Sequence, residues 1–115
     1  MTPTMWHNPR CSKSRATLAL LEEAGHAPIL RRYLDDPPSA AELEDVLAKL
    51  GLGATGLLRT GEKIFRDQGL TGKEEDAALI KAMTDHPILI ERPVVILGDR
   101  AAIGRPPEGV LTLFA

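Results

Sequence analysis

The order of strand-like and helix-like segments is the feature of this sequence that most restricts its fold. A strand pattern over Thr4–Asn8 ends near His7, and strong helix formers follow over residues 12–25. Pro9 separates the two, because proline lacks the amide hydrogen that a continuing strand needs. A second strand pattern covers residues 27–34. This order predicts two parallel strands joined by a crossover helix.

Capping signals predict more helices in the middle of the chain. Ser39 and Glu42 have capping-box spacing, which predicts a helix that starts there and runs to Gly51. Another helix is predicted in "KEEDAALIKAMTDHP", ending before Pro87. In the first helix, two i, i+4 series form the predicted inward face: Ala16, Leu20 and Ala24, together with Thr17 and Leu21.

A hairpin and a last helix complete the predicted fold. Gly98 and Asp99 divide "VVILGDRAAI" into two short strands, and "RPPEGVLTLF" has prolines in the first turn of a helix. We therefore expect one α/β domain over residues 1–115. It has a mixed β-sheet, flanking helices, and a helical insertion at about residues 39–87 between the βαβ and ββα halves.

Composition excludes several classes of protein. The 115 residues are 43% apolar with a formal charge of −2, which argues against a surface that binds nucleic acid or coats a membrane. No window approaches the roughly 20 apolar residues of a membrane span. A single cysteine cannot form an internal disulfide, and no signal peptide is evident, so we expect a cytoplasmic protein. Three scattered histidines and one cysteine predict no metal site.

The one cysteine, Cys11, lies where the first strand gives way to the first helix, in "HNPRCSKSR". Free backbone N–H groups of the first helical turn, over residues 12–15, would point at its sulfur and at any bound anion. Ser12 and Lys13 are therefore candidate substrate ligands. The alternative is a plain structural cysteine, since lone cysteines are often small buried apolar residues.

A helix terminus alone does not make this thiol a thiolate at neutral pH. Making the thiol mostly thiolate near pH 7 requires its pKa to fall by about 2 units, which corresponds to roughly 2.7 kcal/mol. A helix terminus typically contributes only about 0.3–1 kcal/mol to that change. A cation must provide the rest, and the local candidates are His7, Arg10, Lys13 and Arg15. Arg15 lies one helical turn beyond Cys11.

The spacing Cys11-x-x-Ser14 limits the redox chemistry that is possible. A cysteine at the second position would allow an internal disulfide, and Ser14 removes that option. A redox-active Cys11 would therefore need an electron donor from another molecule. Ser14 either donates a hydrogen bond to the thiolate or is simply a residue of the first helical turn.

Five segments in order resemble one known family. "HNPRCSKSRATLALLEEAG", "YLDDPPSAAEL", "LLRTGE", "HPILIERPVV" and "IGRPPEGVL" are similar to the glutathione/glutaredoxin-dependent arsenate reductases, the ArsC family. The resemblance implies a thioredoxin-like fold, with Pro93 as its cis proline. It implies that Cys11 is the nucleophile and that His7 influences its ionisation. The arginines that it places around the oxyanion are Arg59, Arg92 and Arg105.

The chemistry of the side chains agrees with that resemblance. Arginine forks bind tetrahedral oxyanions well, although each arginine alone is equally explained by a surface salt bridge. Arg92 and Arg105 flank the predicted hairpin, which would bring both beside Cys11 in a compact sheet. The sequence gives the least indication of whether Arg59 lies near Cys11, because this arginine is in the predicted insertion.

The resemblance also implies a mechanism and partners. Cys11 attacks arsenate, glutathione attacks the adduct, glutaredoxin assists, and arsenite leaves. Glutathione is then a co-substrate, and no bound cofactor is needed. Two alternatives remain: a glutathione-linked thiol oxidoreductase of another substrate, and a regulator that binds RNA polymerase. Fold alone does not choose among them.

Overall fold

The computed structural model describes residues 1–115, and the chain forms two compact units. The first comprises Met1–Asp36 and Arg92–Ala115, and the second comprises Pro37–Glu91. The segment that the sequence marks as a helical insertion, at about 39–87, falls inside the second unit and stops short of both its ends. That the whole chain is a single domain stays a prediction. No helix is both long enough and apolar enough to cross a membrane.

The first unit contains a four-stranded mixed sheet. Its elements are β1 (Thr4–Trp6), α1 (Ser12–Glu23), β2 (Ile29–Arg31), β3 (Val94–Leu97), β4 (Arg100–Ile103) and a C-terminal 3₁₀ helix (Pro107–Phe114). The strand order is β2-β1-β3-β4; β1 runs parallel to β2 and antiparallel to β3, which is antiparallel to β4. The predicted α/β class, the parallel pair and the hairpin at Gly98 are confirmed.

The first two strands are shorter than predicted because their ends make other hydrogen bonds. The Asn8 N–H donates to the side chain of Ser14 rather than to a neighbouring strand. Past β2, the N–H groups of Asp35 and Asp36 both donate to the carbonyl of Arg32, which closes a turn. Each strand therefore has only three residues.

One face of the sheet carries the apolar core of this unit. Met5 and Val95 are paired across β1 and β3 and are fully buried. Leu21 of α1 packs with them, as do Val110 and Leu113 of the C-terminal 3₁₀ helix. Burying each such side chain contributes about 1.5–3 kcal/mol, so these contacts fix α1 against the sheet.

The inward face of α1 is only partly the predicted one. Thr17 and Leu21 are buried as predicted, whereas Ala16 and Ala24 are exposed and Ser14 is buried instead. The polar pair is tolerated inside because its hydroxyls are hydrogen-bonded: Thr17 Oγ1 donates to the Lys13 carbonyl at 2.8 Å, and Ser14 Oγ lies 2.7 Å from His7 Nδ1. Apolar spacing therefore identifies Thr17 and Leu21 but not Ser14.

The second unit contains helices only, and the first of them begins at its predicted capping signal. They are α2 (Ala40–Leu50), α3 (Lys63–Asp67), α4 (Asp76–Asp85) and two short 3₁₀ helices (Ala54–Leu57 and Pro87–Leu89). The capping box is confirmed: Ser39 Oγ accepts the Glu42 N–H at 3.2 Å, and Glu42 Oε1 accepts the Ser39 N–H at 3.0 Å. Gly51 ends α2 at φ +69°, a conformation that glycine adopts without strain.

Gly104, directly after β4, permits a close approach between three segments of the first unit. Its N–H donates to the Pro93 carbonyl at 2.9 Å. A Cβ atom here would lie 2.5 Å from Thr17 Oγ1 and 2.7 Å from Pro93 Cγ. The Pro93 ring is stiff and Thr17 is held by its own hydrogen bond, so neither neighbour yields easily.

We predict that Gly104→Ala destabilises the protein by about 1–3 kcal/mol, as overpacking usually does. The free energy of unfolding in urea measures this. Gly61→Ala is the matched control, because no atom lies within 4 Å of a Cβ there and Gly61 does not have a positive φ. Equal stability of the two variants would contradict the close packing at Gly104.

Candidate active site

Cys11 is the residue that caps the N-terminus of α1. Its backbone is extended (φ −95°, ψ 123°), its side chain is half-buried, and its thiol is free. The Asn8 side chain orders the preceding loop, since its Oδ1 accepts the Arg10 N–H at 3.0 Å. The Asn8 carbonyl accepts the Cys11 N–H, also at 3.0 Å. The thiol is therefore held at the start of a helix, as the sequence predicts.

Several donors favour the thiolate form of Cys11. Burial raises the pKa of the thiol. Hydrogen bonds from the Ser14 N–H and the Arg92 side chain, the charge of Arg92, and the Lys13 N–H oppose burial and hold the pKa below its ordinary value. Arg105 Nη2 also lies 3.7 Å from Sγ. The cysteine is thus a nucleophile candidate rather than an inert core residue.

The cation beside the sulfur is not one of the four local candidates. Lys13 acts through its backbone N–H, and the Arg15 guanidinium donates to the Pro9 carbonyl at 2.9 Å. Arg92, which is distant in sequence, supplies the charge. The Arg15 hydrogen bond ties the loop to α1, and its role in the reaction stays a prediction.

His7 is buried and holds Ser14 in place. Its Nδ1 lies 2.7 Å from Ser14 Oγ, which also accepts the Asn8 N–H at 3.1 Å. Burial lowers the pKa of His7, and the charges of Arg32 and Arg15 lower it further. His7 is therefore mostly neutral at pH 7, and its contact at the site is with Ser14; its influence on the ionisation of Cys11 stays a prediction.

Ser14 contacts Cys11 through its backbone and not through its hydroxyl. The N–H points to the sulfur, whereas Oγ is shared between His7 and Asn8. The sequence leaves two roles open for Ser14: a hydrogen-bond donor to the thiolate, or simply a residue of the first helical turn. In the structure it is both, because it lies in that turn and its backbone N–H donates to the sulfur. Ser12, also a predicted ligand, is exposed beside it.

Arg92 and Arg105 come together at the open end of the β3–β4 hairpin. Arg92 precedes β3 and Arg105 follows β4, and Arg105 Nε donates to the Arg92 carbonyl at 2.8 Å. The Arg92–Pro93 peptide is cis, as predicted. The hairpin therefore brings both arginines to Cys11, and its paired strands explain how residues so far apart in sequence meet.

Arg59 lies in the second unit, among acidic partners. Its Nε is 3.0 Å from Glu62 Oε1, and its Nη1 is 2.9 Å from Glu91 Oε1. Its backbone N–H donates to the Leu89 carbonyl. These contacts fix the arginine within its own unit, and its role as a substrate ligand stays a prediction.

Asn8 and Arg32 are the residues near this site that sequence reasoning undervalues. Asn8 directly precedes Pro9, and Asn-Pro pairs commonly start turns, so the sequence does carry a signal for its place in this loop. Arg32 appears in sequence as a solvated charge, yet it lowers the pKa of His7. The parallel pairing of β1 with β2, in which Trp6 lies opposite Arg31, brings Arg32 near His7, so no local signal identifies it.

The donors around Cys11 predict its reactivity. Arg92→Gln should move the pH midpoint for alkylation of Cys11 by iodoacetamide to higher pH. At pH 7 the reaction should slow by up to about fivefold, since a unit charge at close range contributes about 1 kcal/mol even in bulk water. Arg15→Gln is the comparison variant and should leave the midpoint nearly unchanged. A larger effect at Arg15 than at Arg92 would reverse the assignment.

The lowered pKa of His7 predicts how stability depends on pH. As pH falls below the ordinary histidine pKa of about 6.5, the unfolded chain binds a proton that folded His7 does not, so stability falls. That loss continues down to the pKa of the folded state. Urea denaturation at pH 7.5 and 5.5 should therefore show a smaller loss for His7→Asn than for wild type. An equal loss in both would mean that His7 is not held neutral.

Comparison with known proteins agrees with this geometry. Residues 6–113 match the ArsC family. Proteins named arsenate reductase are 48% identical over 92% of both chains in Neisseria meningitidis serogroup A, and 45% identical over 99% of this chain and 100% of the relative in Haemophilus influenzae. The solved structure named arsenate reductase from Vibrio cholerae has a TM-score of 0.93 and 45% identity, covering 97% of each chain. This chain belongs to the ArsC family.

Proposed function

We propose that this protein reduces arsenate to arsenite, with glutathione and glutaredoxin as the source of electrons. The observation that carries the proposal is the thiol of Cys11, whose pKa is lowered at a helix N-terminus with Arg92 and Arg105 beside it. Relatives named arsenate reductase support the choice of oxyanion. The enzyme is thus an oxidoreductase that we expect to work in the cytoplasm.

Binding has to overcome the repulsion between a thiolate and an arsenate dianion. The guanidinium groups of Arg92 and Arg105 offset that repulsion and orient the oxygens through paired hydrogen bonds. Arg105 is exposed, and one of its nitrogens already lies within 3.7 Å of the sulfur, so an oxyanion at Cys11 also reaches Arg105. Arg59, Ser12 and Lys13 are further proposed ligands.

The first chemical step joins the enzyme to the substrate. The thiolate of Cys11 attacks arsenic, a sulfur–arsenic bond forms, and one arsenic–oxygen bond breaks. The departing oxygen takes up protons and leaves as water. The arginines stabilise charge on the remaining oxygens, which is where a preorganised site contributes most.

Reduction then requires two thiols from outside the chain. Cys11 is the only cysteine, so it cannot resolve the adduct through an internal disulfide. Glutathione attacks the arsenic of the adduct: a second sulfur–arsenic bond forms, and one arsenic–oxygen bond breaks, its oxygen leaving as water. The glutaredoxin thiolate then attacks the glutathione sulfur, so that a sulfur–sulfur bond forms and the bond from that sulfur to arsenic breaks with its electron pair left on arsenic. Water finally displaces Cys11 from the reduced arsenic. The two sulfurs lose one electron each, and arsenic gains both. Arsenate and two thiols thus become arsenite, one disulfide and water, and Cys11 returns to its thiolate form.

Arsenate-dependent oxidation of NADPH tests the proposal, in an assay coupled through glutathione, glutaredoxin and glutathione reductase. Cys11→Ser should reduce turnover to background. Arg92→Gln and Arg105→Gln should each lower kcat/KM for arsenate about tenfold to a hundredfold, as loss of one stabilising donor does. Arg66→Gln, an exposed arginine of α3, is the matched control and should retain the wild-type rate.

Two outcomes would contradict the proposal. Full turnover by Cys11→Ser would exclude Cys11 as the nucleophile. Absence of arsenate-dependent turnover in wild type, together with fast alkylation of Cys11, would leave the thiolate intact and assign it to another substrate.

A further inference from the structure

A cavity of about 300 Å³ in the first unit adjoins the Cys11 loop. Cys11 itself does not line it, but Arg10, the residue before it, does. The lining residues are His7, Asn8, Pro9, Arg10, Arg32, Leu34 and Asp35. This volume is at the small end of the range for ligand sites, large enough for a part of a small molecule.

Two guanidinium groups and one carboxylate set the charge of this cavity. The Arg10 side chain is exposed, and its guanidinium makes no hydrogen bond or ion pair with the protein. Arg32 Nε lies 3.6 Å from Asp35 Oδ2, and both side chains are mostly exposed, at 63% and 74%. His7 is neutral at neutral pH, so the lining carries a net charge of about +1.

This arrangement suits a ligand that carries both signs of charge. Arginine binds carboxylates through its planar fork, and Arg10 has no competing partner. Asp35 would repel a free inorganic oxyanion but would attract an ammonium group. Leu34 and Pro9 provide an apolar part of the cavity lining beside these charged groups. The side chains therefore match the head group of an amino acid, with its carboxylate and ammonium on one carbon.

We propose that this cavity binds the amino-acid head group of the thiol that reduces the Cys11 adduct. The inference rests on the proposed function, and it names the chemical class of the co-substrate: a thiol that carries a carboxylate and an ammonium group, as glutathione does. Arg10 and Arg32 hold the carboxylate, and Asp35 holds the ammonium. A neutral thiol lacks both contacts.

Because Arg10 lines the cavity and directly precedes Cys11, the cavity begins close to the nucleophile. Consecutive Cα atoms are about 3.8 Å apart, so Arg10 begins one residue from the nucleophile. A tripeptide-sized thiol spans roughly 10 Å when extended. We therefore expect such a thiol to place its head group in the cavity while its sulfur, on the middle residue, reaches an adduct on Cys11.

Binding of S-methylglutathione tests the site without arsenate or turnover, because this probe has no free thiol. Isothermal titration should show that Arg10→Gln raises its Kd about three- to tenfold, and that higher salt weakens binding to wild type. Arg66→Gln is the matched control and should bind as wild type does. Urea denaturation should confirm that the variants fold, since Arg10, Asp35 and Arg66 are all exposed.

A second probe tests the role of Asp35. N-acetyl-S-methylglutathione lacks the ammonium group, so wild type should bind it about three- to tenfold more weakly than S-methylglutathione. Asp35→Asn should remove that preference. In turnover, Arg10→Gln should raise KM for glutathione and leave KM for arsenate unchanged.

Three results would overturn the proposal. The first is equal affinity for S-methylglutathione in wild type and Arg10→Gln. The second is an unchanged preference between the two probes in Asp35→Asn. The third is displacement of S-methylglutathione by millimolar inorganic phosphate, which would make the cavity a site for free oxyanions. Failure of arsenate reduction with the predicted probe binding would instead reject the reductase and keep the thiol site.

Discussion

The site depends most on the hydrogen bonds of Ser14. Its hydroxyl is fully buried, bonded to His7 Nδ1 at 2.7 Å and to the Asn8 N–H at 3.1 Å, while its own N–H points to the sulfur of Cys11. Loss of this hydroxyl would leave buried polar groups unsatisfied, at about 1–3 kcal/mol each. The Ser14 side chain thus joins the residues that follow β1 to the first turn of α1. This connection fixes the direction in which the N–H groups of that turn point.

The positive charge that helps to lower the pKa of Cys11 comes from a residue far along the chain, Arg92. A helix terminus supplies too little energy alone, and the local Arg15 is committed to the Pro9 carbonyl. Arg92 reaches the sulfur because β3 pairs with β1, and Arg105 follows because β4 pairs with β3. The motif around Cys11 is therefore incomplete without the sheet, and an isolated peptide with the same residues would lack the main source of positive charge.

Features with a local cause could be predicted from sequence. The capping box of Ser39 and Glu42 and the turn at Gly98 each need only neighbouring residues, and both are confirmed. The buried face of α1 could be predicted only in part: Thr17 and Leu21 have the right spacing, but the burial of Ser14 depends on its hydrogen bonds to His7 and Asn8. Which guanidinium meets Cys11 likewise depends on tertiary contacts, so spacing along the chain does not identify it. The family resemblance supplied Arg92 where local reasoning did not.

The partial exposure of Cys11 balances two opposing requirements. Deeper burial would raise the pKa of the thiol and weaken the thiolate, whereas full exposure would let water screen the charge of Arg92. A chain with one cysteine also has to admit a second molecule to the sulfur, and a closed site would prevent that. The exposed Arg105 and the half-buried thiol meet both needs. An open site of this kind is what the proposed transfer of electrons from external thiols requires.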